Sequence, residues 1–81
     1  MANYIKVYTK DIRQENGIWV DEFGTPLNGI KKAFYGGGEL QDETSMTDGV
    51  ANGVQRVYDP KGNLWWENTW KNGTLIKYKK M

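Results

Sequence analysis

The sequence contains no cysteine and no histidine among its 81 residues. Disulfide bonds and the usual zinc sites are therefore excluded, because they are built from cysteine and histidine side chains. The same absence excludes Ser/His/Asp and Cys/His catalysis, in which histidine is the general base. The sequence thus predicts a protein that is not an enzyme and that holds no cofactor or metal.

An excess of one charge and a long apolar run are also missing. Eleven basic and ten acidic residues give a formal net charge of +1, so no one-signed field attracts nucleic acid or a membrane surface. The opening stretch, MANYIKVYTKD, alternates polar and apolar residues and has no apolar run of the length that a signal peptide or a membrane span needs. These features predict a cytoplasmic protein without a membrane span, and no binding of nucleic acid is expected.

What the sequence does contain is an internal repeat. Residues 28–51 and 52–75 align without a gap at a spacing of 24 positions (52 − 28). The aligned identities are Asn28/Asn52, Gly29/Gly53, Gly38/Gly62, Leu40/Leu64, Glu43/Glu67 and Gly49/Gly73. A repeat of this length is one supersecondary unit, which buries its apolar side by stacking on its copy.

The repeat and the short β-branched and aromatic runs predict one all-β domain over residues 1–81 without a substantial helix. The expected fold is an antiparallel meander of about seven short strands, arranged as stacked β-hairpins in a single sheet. Its segments are an N-terminal strand (1–15), a truncated opening unit (16–27), two full repeats (28–51 and 52–75) and the end of the C-terminal strand (76–81). Strands are predicted at 3–9, 18–20 and 75–80, with a polar connection from Lys10 to Asn16.

Glycine-bearing turns set the expected register of the repeats. Asp59-Pro60-Lys61-Gly62 suits a type I turn followed by a left-handed residue, which makes a three-residue hairpin loop. The aligned loop in the first repeat is 36–38, and Gly24 closes a similar turn in the opening unit. The resulting cross-strand pairs are Phe34–Leu40, Ala33–Gln41, Lys32–Asp42 and Lys31–Glu43, then Tyr58–Leu64, Val57–Trp65, Arg56–Trp66 and Gln55–Glu67.

These motifs resemble a known family. The stretch NGIWVDEFGTPLNGIKKAFY, the turns GGGEL and KGNL and the steps TDG and KNG are similar to the bacterial MORN-variant (MORN_2-type) repeat of the YwqK-like antitoxin family. The resemblance covers about three quarters of the chain and rests on glycine spacing and one aromatic position. It implies stacked β-hairpins, contacts with proteins or near membranes, and no defined catalytic set.

Other motifs that could carry chemistry have simpler explanations. The carboxylate pairs Asp21/Glu22 and Asp42/Glu43 are adjacent in sequence, and adjacent strand residues point to opposite faces. Neither pair can therefore form the dyad of a glycosidase. The Gly36-Gly37-Gly38 run is followed by no helix, so it is interpreted as a turn and not as a phosphate loop.

The aromatic residues supply the candidate binding site. Transfer of the strand pattern from the first repeat to the second places Trp66 and Trp70 on a core-like face. Trp65 is placed on the polar face, beside Val57. An aromatic anchor with a polar rim is typical of a protein contact. The candidate partner-binding residues are therefore Trp65, Val57, Gln55 and Glu67.

The favoured interpretation is a non-enzymatic protein–protein interaction module, acting as a stoichiometric inhibitor, an antitoxin-like protein or a phage anti-defence protein on an unidentified partner. Two other classes remain open. A carbohydrate-binding module would use Trp19, Trp65 or Trp70 as a sugar platform, and a weak nucleic-acid or membrane-surface binder would use the lysines near the C-terminus. Self-association through the terminal strands or the bare repeat faces is also expected, because both leave groups without partners.

Overall fold

The computed structural model describes residues 5–81, and these form eight strands and no helix. The strands are β1 (Val7–Tyr8), β2 (Arg13–Glu15), β3 (Ile18–Val20), β4 (Gly29–Phe34), β5 (Leu40–Thr47), β6 (Val50–Tyr58), β7 (Leu64–Lys71) and β8 (Thr74–Lys80). The all-β prediction is confirmed. Strand β2 lies in the stretch that was expected to be a polar connection. Of the strand predicted at 3–9, residues 3 and 4 lie outside the described residues.

Six of the strands form one sheet in the order β1-β4-β5-β6-β7-β8, and β2 pairs with β3 in a separate two-stranded sheet. Each strand from β4 to β7 pairs antiparallel with the next one along the chain. Strand β1 instead pairs in parallel with β4. The expected single, wholly antiparallel sheet is therefore wrong in two respects: β2 and β3 form a second sheet, and β1 is parallel to its neighbour. Parallel neighbours need a crossover connection, and the segment 9–28 supplies it.

Two kinds of turn recur along the chain. At Asn16-Gly17, Asp48-Gly49 and Asn72-Gly73 both residues have positive φ, as a type I′ hairpin turn requires. The second kind ends at a glycine whose N–H donates to the carbonyl three residues earlier. These bonds are Gly24 to Asp21 at 3.0 Å, Gly38 to Tyr35 at 2.9 Å and Gly62 to Asp59 at 3.0 Å. The opening unit thus shares its glycine turn with both repeats, as the glycine spacing predicted.

The predicted register holds only for the pair next to each glycine loop. Phe34 faces Leu40 and Tyr58 faces Leu64, but a β-bulge follows in each hairpin. The extra residues are Gln41 and Trp65, which have no partner on the adjacent strand. A bulge adds one residue to one strand, so the predicted pairs beyond it are wrong. The observed pairs are Ala33–Asp42, Lys32–Glu43 and Lys31–Thr44, then Val57–Trp66, Arg56–Glu67 and Gln55–Asn68.

The hydrophobic core lies where the segment 9–28 covers one face of the large sheet. Leu27 from this segment is fully buried, and it clusters with Tyr8 of β1 and Met46 of β5. Trp19 of β3 and Ala51 of β6 pack against the cluster. The crossover is therefore also the cover of the core.

Two half-buried aspartates stabilise their turns through hydrogen bonds from the backbone. Asp59 Oδ1 accepts the N–H groups of Lys61 and Asn63 at 2.9 Å each, and Asp21 accepts two backbone N–H groups in the same way. The bond from the Asn63 N–H is the largest cause that holds the pKa of Asp59 below its ordinary value of 3.8. The charged carboxylate therefore favours the folded state.

This pKa shift gives a prediction for acid stability. Because the pKa in the folded state is lower than in the unfolded state, the stabilisation is present above pH 3.8 and is lost as the pH falls through the lowered pKa. Asp59→Asn should therefore unfold with a smaller dependence on pH between about 4 and 2. Thermal melts across this range measure the effect. An unchanged pH dependence in the double variant Asp21→Asn/Asp59→Asn would contradict it.

Candidate functional site

Positions 24 residues apart in the two repeats make the same hydrogen bonds. The N–H of Gly49 donates to the carbonyl of Leu27 at 2.9 Å, and the N–H of Gly73 donates to the carbonyl of Ala51 at 2.8 Å. Two side-chain bonds correspond in the same way: Asp48 N–H to Asn28 Oδ1 at 3.0 Å, and Asn72 N–H to Asn52 Oδ1 at 3.1 Å. Burial at equivalent positions can therefore be compared directly.

That comparison shows a gradient of burial along the chain. Leu27 is 0% exposed, its equivalent Ala51 is half-buried, and the next equivalent, Leu75, is 42% exposed. Met46 is 5% exposed, whereas its equivalent Trp70 is only partly buried. The first repeat is covered by the segment 9–28. Among the described residues, no segment covers the second repeat in this way.

The uncovered side of the last three strands carries most of the aromatic side chains there. Cross-strand partners share a face of a sheet, and the pairs Val57–Trp66, Gln55–Asn68, Gly53–Trp70 and Asn68–Tyr78 define this one. It is called the aromatic face, and its side chains are Gln55, Val57, Trp66, Asn68, Trp70, Leu75, Tyr78 and Lys80.

Contacts within the aromatic face fix its polar groups and its rings. Gln55 Oε1 accepts two hydrogen bonds, from Trp70 Nε1 at 2.8 Å and from Asn68 Nδ2 at 3.1 Å. The ring centroids of Trp66 and Tyr78 lie 6.0 Å apart, and the ring planes make an angle of 53°. Aromatic pairs prefer such a tilted geometry. Tyr78 nevertheless stays 67% exposed. The face is thus ordered by its own contacts while its outer ring remains accessible.

The opposite face of the sheet has a different character. One row of side chains crosses five strands with alternating charge: Lys32, Glu43, Arg56, Glu67 and Lys79. In this charge row, Arg56 Nε lies 3.3 Å from Glu67 Oε2, and both side chains are exposed. An exposed ion pair contributes little to stability. Beside this row the exposed apolar side chains of Val7 and Val54 line a shallow cavity, so the two faces of the sheet differ in charge and in aromatic content.

Tyr58 anchors the charge row at Glu43. Its hydroxyl donates a hydrogen bond to Glu43 Oε1 at 2.9 Å. Burial, and after it this bond to the carboxylate, raises the pKa of Tyr58 above its ordinary value of 10.0. The hydroxyl is therefore protonated at neutral pH and acts as a structural donor.

The structure divides the predicted binding residues. Gln55 and Val57 lie together on the aromatic face, whereas Glu67 lies on the opposite face in the charge row. Trp65 is the bulge residue; it is 47% exposed, and its carbonyl accepts the N–H of Met81 at 2.9 Å. The expected pairing of Trp65 with Val57 is wrong, because the bulge brings Trp66 to that place.

Sequence reasoning missed the most exposed ring of the aromatic face. The signal for Tyr78 was its place in LIKYKK, where it is the single aromatic residue between lysines. The proposed sugar platforms differ in accessibility. Trp19 packs against the core with the ammonium of Lys31 4.7 Å from its ring, and Trp70 donates its indole N–H within the protein.

Strand β8 forms the last edge of the large sheet. All seven of its residues are exposed, although six of them pair with residues of β7 and only Ile76, at a β-bulge, has no partner there. Lys77 and Lys79 lie on the side of the charge row. Lys80 lies on the aromatic face, with its ammonium 5.9 Å from the ring of Trp66. The edge therefore combines open backbone groups with positive charge.

No family model, curated protein or solved structure matches this chain. Among residues 5–81, no helix has the length and apolar character that would let it cross a membrane. The same residues contain no group of three acidic side chains that could hold a metal ion. The aromatic face and the outer edge of β8 are therefore the features of the chain that bear on its function.

Proposed function

We propose that the chain is a non-enzymatic protein-interaction module built of stacked MORN-variant hairpins, which binds another protein in the cytoplasm through its aromatic face. It acts by occupying its partner stoichiometrically, as an inhibitor, an antitoxin-like protein or a phage anti-defence protein does. The resemblance of the repeat to the MORN-variant family supports this assignment.

The observation that carries the proposal is the difference in burial between equivalent positions. Leu27 is fully covered by the chain itself, and Leu75 is not, although both occupy the same place in the repeated plan. Burial of apolar surface stabilises an interface by roughly 25 cal/mol per Å² removed from water. A partner that covers the second repeat would be stabilised by this burial, in the same way that the segment 9–28 stabilises the fold by covering the first repeat.

The composition of the aromatic face supports a protein partner. Tryptophan and tyrosine are enriched at the centres of protein interfaces, where they supply large contact areas. Trp66 and Tyr78 form such a centre, and Gln55 satisfies the neighbouring polar groups. These side chains lie together on the aromatic face, so binding is expected on that side of the sheet.

A site-specific crosslinking experiment tests the proposal. A photoreactive phenylalanine analogue is placed at Tyr78, or at Phe23 as a control, because Phe23 is also an exposed aromatic residue but lies in the turn after β3. Crosslinking in cell extract should give a defined protein adduct from position 78 and not from position 23. Equal yields from both positions, or no adduct from position 78, would contradict the proposal. A glycan that quenches tryptophan fluorescence in the absence of any protein adduct would favour the carbohydrate-binding alternative.

The partner identified in this way allows a quantitative prediction. Tyr78→Ala should weaken its binding by about 30-fold, as expected when an interface loses a central aromatic anchor of about 2 kcal/mol. The urea midpoint should change little, because the ring is largely exposed. Phe23→Ala is the matched control and should leave the affinity unchanged. Titration calorimetry measures both.

A further inference from the structure

We infer that the outer edge of β8 binds an extended acidic segment of the partner as an additional strand, an inference that rests on the proposed protein-binding function. The part of the partner that is recognised is this acidic segment.

The backbone direction of β8 follows from one hydrogen bond. The N–H of Met81 donates to the carbonyl of Trp65, which lies at the start of β7. Along an antiparallel strand, successive residues direct their N–H and C=O groups to opposite edges. The backbone N–H and C=O groups of Lys79 therefore point toward β7, like the N–H of Met81. Those of Tyr78 and Lys80 point away from β7, to the open edge of the sheet. Within residues 5–81 no strand lies on that side.

The two edges of the large sheet are unequal. Strand β1 forms one edge with two residues, whereas β8 forms the other with seven, of which the four after the bulge at Ile76 (77–80) alternate regularly. A long exposed edge is a template for another strand, because its unpaired N–H and C=O groups match those of an extended chain. Of the two edges, β8 is therefore the one that can accept a strand.

The side chains of β8 define the pattern of the incoming strand. Lys77 and Lys79 point to the side of the charge row, and Tyr78 points to the aromatic face. Residues opposite Lys77 and Lys79 would form the non-hydrogen-bonded pairs, in which side chains lie closest. Acidic residues fit at these two places, and an apolar residue fits between them beside Tyr78. The expected sequence pattern of the partner's strand is therefore an acidic residue, an apolar residue and a second acidic residue.

The same lysines argue against a second copy of the chain on this edge. In a two-fold antiparallel pair, outward-pointing residues must face outward-pointing residues. A pair centred on Tyr78 places Lys77 opposite Lys79 of the other copy. A pair centred on Lys77 or Lys79 places that lysine opposite itself. Like charges directly opposite each other are destabilising, so an acidic strand is preferred to self-pairing, in contrast to the self-association expected from the open edges alone.

Peptide binding tests the inference. The probe is an eight-residue peptide with blocked ends that alternates glutamate and valine. One control peptide has the same composition in two blocks, and another alternates lysine and valine. The alternating acidic peptide should bind and shift the amide signals of Tyr78 and Lys80 in NMR spectra. Lys77→Glu/Lys79→Glu should weaken this binding by about tenfold or more and should bind the lysine peptide instead, because both cross-strand pairs are reversed. This gain of binding also shows that the variant is folded.

A charge-matched variant separates the edge from the net charge. Lys10→Glu/Lys61→Glu makes the same change in charge at two exposed positions outside the sheet, and it should bind the acidic peptide like the original protein. An equal loss in this variant, or equal binding of the block peptide, would overturn the inference. Dimers at tens of micromolar with shifted β8 signals would also overturn it. A protein adduct at position 78 without peptide binding would leave the proposed function standing and refute the strand addition alone.

Discussion

Replacing Leu27 by alanine is expected to lower the free energy of unfolding by about 3–4 kcal/mol. Leu27 is 0% exposed and lies between Tyr8 and Met46, so truncation removes buried methyl groups and leaves a cavity. Domains of this size are stable by only about 5–15 kcal/mol. Urea denaturation of the variant should therefore show a large shift of the midpoint with an unchanged slope.

Leu75 provides the control for this experiment within the same chain. It occupies the equivalent place two units later and is 42% exposed. Leu75→Ala should lower the free energy of unfolding by less than about 1 kcal/mol, because 42% of its surface already contacts water and its truncation leaves no closed cavity. Equal losses at the two positions would show that the second repeat is covered as well as the first. The aromatic face would then not be free to bind a partner.

Replacing Gly49 by alanine is expected to have a comparably large effect, of about 3–4 kcal/mol. The residue has φ of 83° in a type I′ turn, where a side chain is strained. A Cβ atom there would lie 2.7 Å from the carbonyl oxygen of Trp19 and 3.0 Å from Cβ of Ile18. Since the N–H of Trp19 donates to the carbonyl of Gly49 at 2.8 Å, relief of this clash would disturb the contact between β3 and the turn.

Two other glycines separate the two causes of this loss. Gly17 and Gly73 both have φ of 84° at the same place in their turns. A Cβ atom at Gly17 would meet nothing within 4 Å, and one at Gly73 would come no closer than 3.6 Å to Val50. Their alanine variants should lose only about 1–2 kcal/mol, the strain of the left-handed conformation. If all three variants melt at the same temperature, the close approach of β3 to Gly49 has no energetic weight.

The turns were the part of the fold that the sequence predicted best. Asn-Gly and Asp-Gly steps favour two residues with positive φ, and Gly24 was aligned correctly with the later turn glycines. These are local effects of residues three or four apart. The pairs beside the loops, Phe34–Leu40 and Tyr58–Leu64, followed from them and are confirmed.

The alternation of polar and apolar residues could not predict the bulges at Gln41 and Trp65, because both residue types occur on both faces of these strands. A signal was nevertheless present in the repeat. The observed register pairs a basic with an acidic residue in both units, Lys32 with Glu43 and Arg56 with Glu67. The regular register gave such a pair only in the first unit. A comparison of charge pairs between the repeats would have favoured the bulged register.

The candidate site was predicted only in part, for two physical reasons. The bulge moved Trp65 out of the regular alternation, so the patch built around it was divided. The cover formed by the segment 9–28 depends on long-range packing of Leu27 and Trp19, which no local pattern records. Because the sequence does not show this cover, it does not show the difference in burial between the two repeats. Gln55 was expected beside Glu67 on the polar face, but it is half-buried on the opposite face, where its partners are Asn68 and Trp70.

The gradient of burial from Leu27 to Leu75 also has a consequence for motion. In a stack of units, stability is a sum of local terms, and the end with the fewest buried contacts opens first. Strand β8 can therefore fray without disturbing β4 and β5, whose opening requires loss of the core. A partner that binds only the closed end contributes its binding free energy to local stability. Binding of the partner would then slow the local opening of the strands along the sheet. The free and the bound protein would differ in the lifetime of the closed state more than in shape.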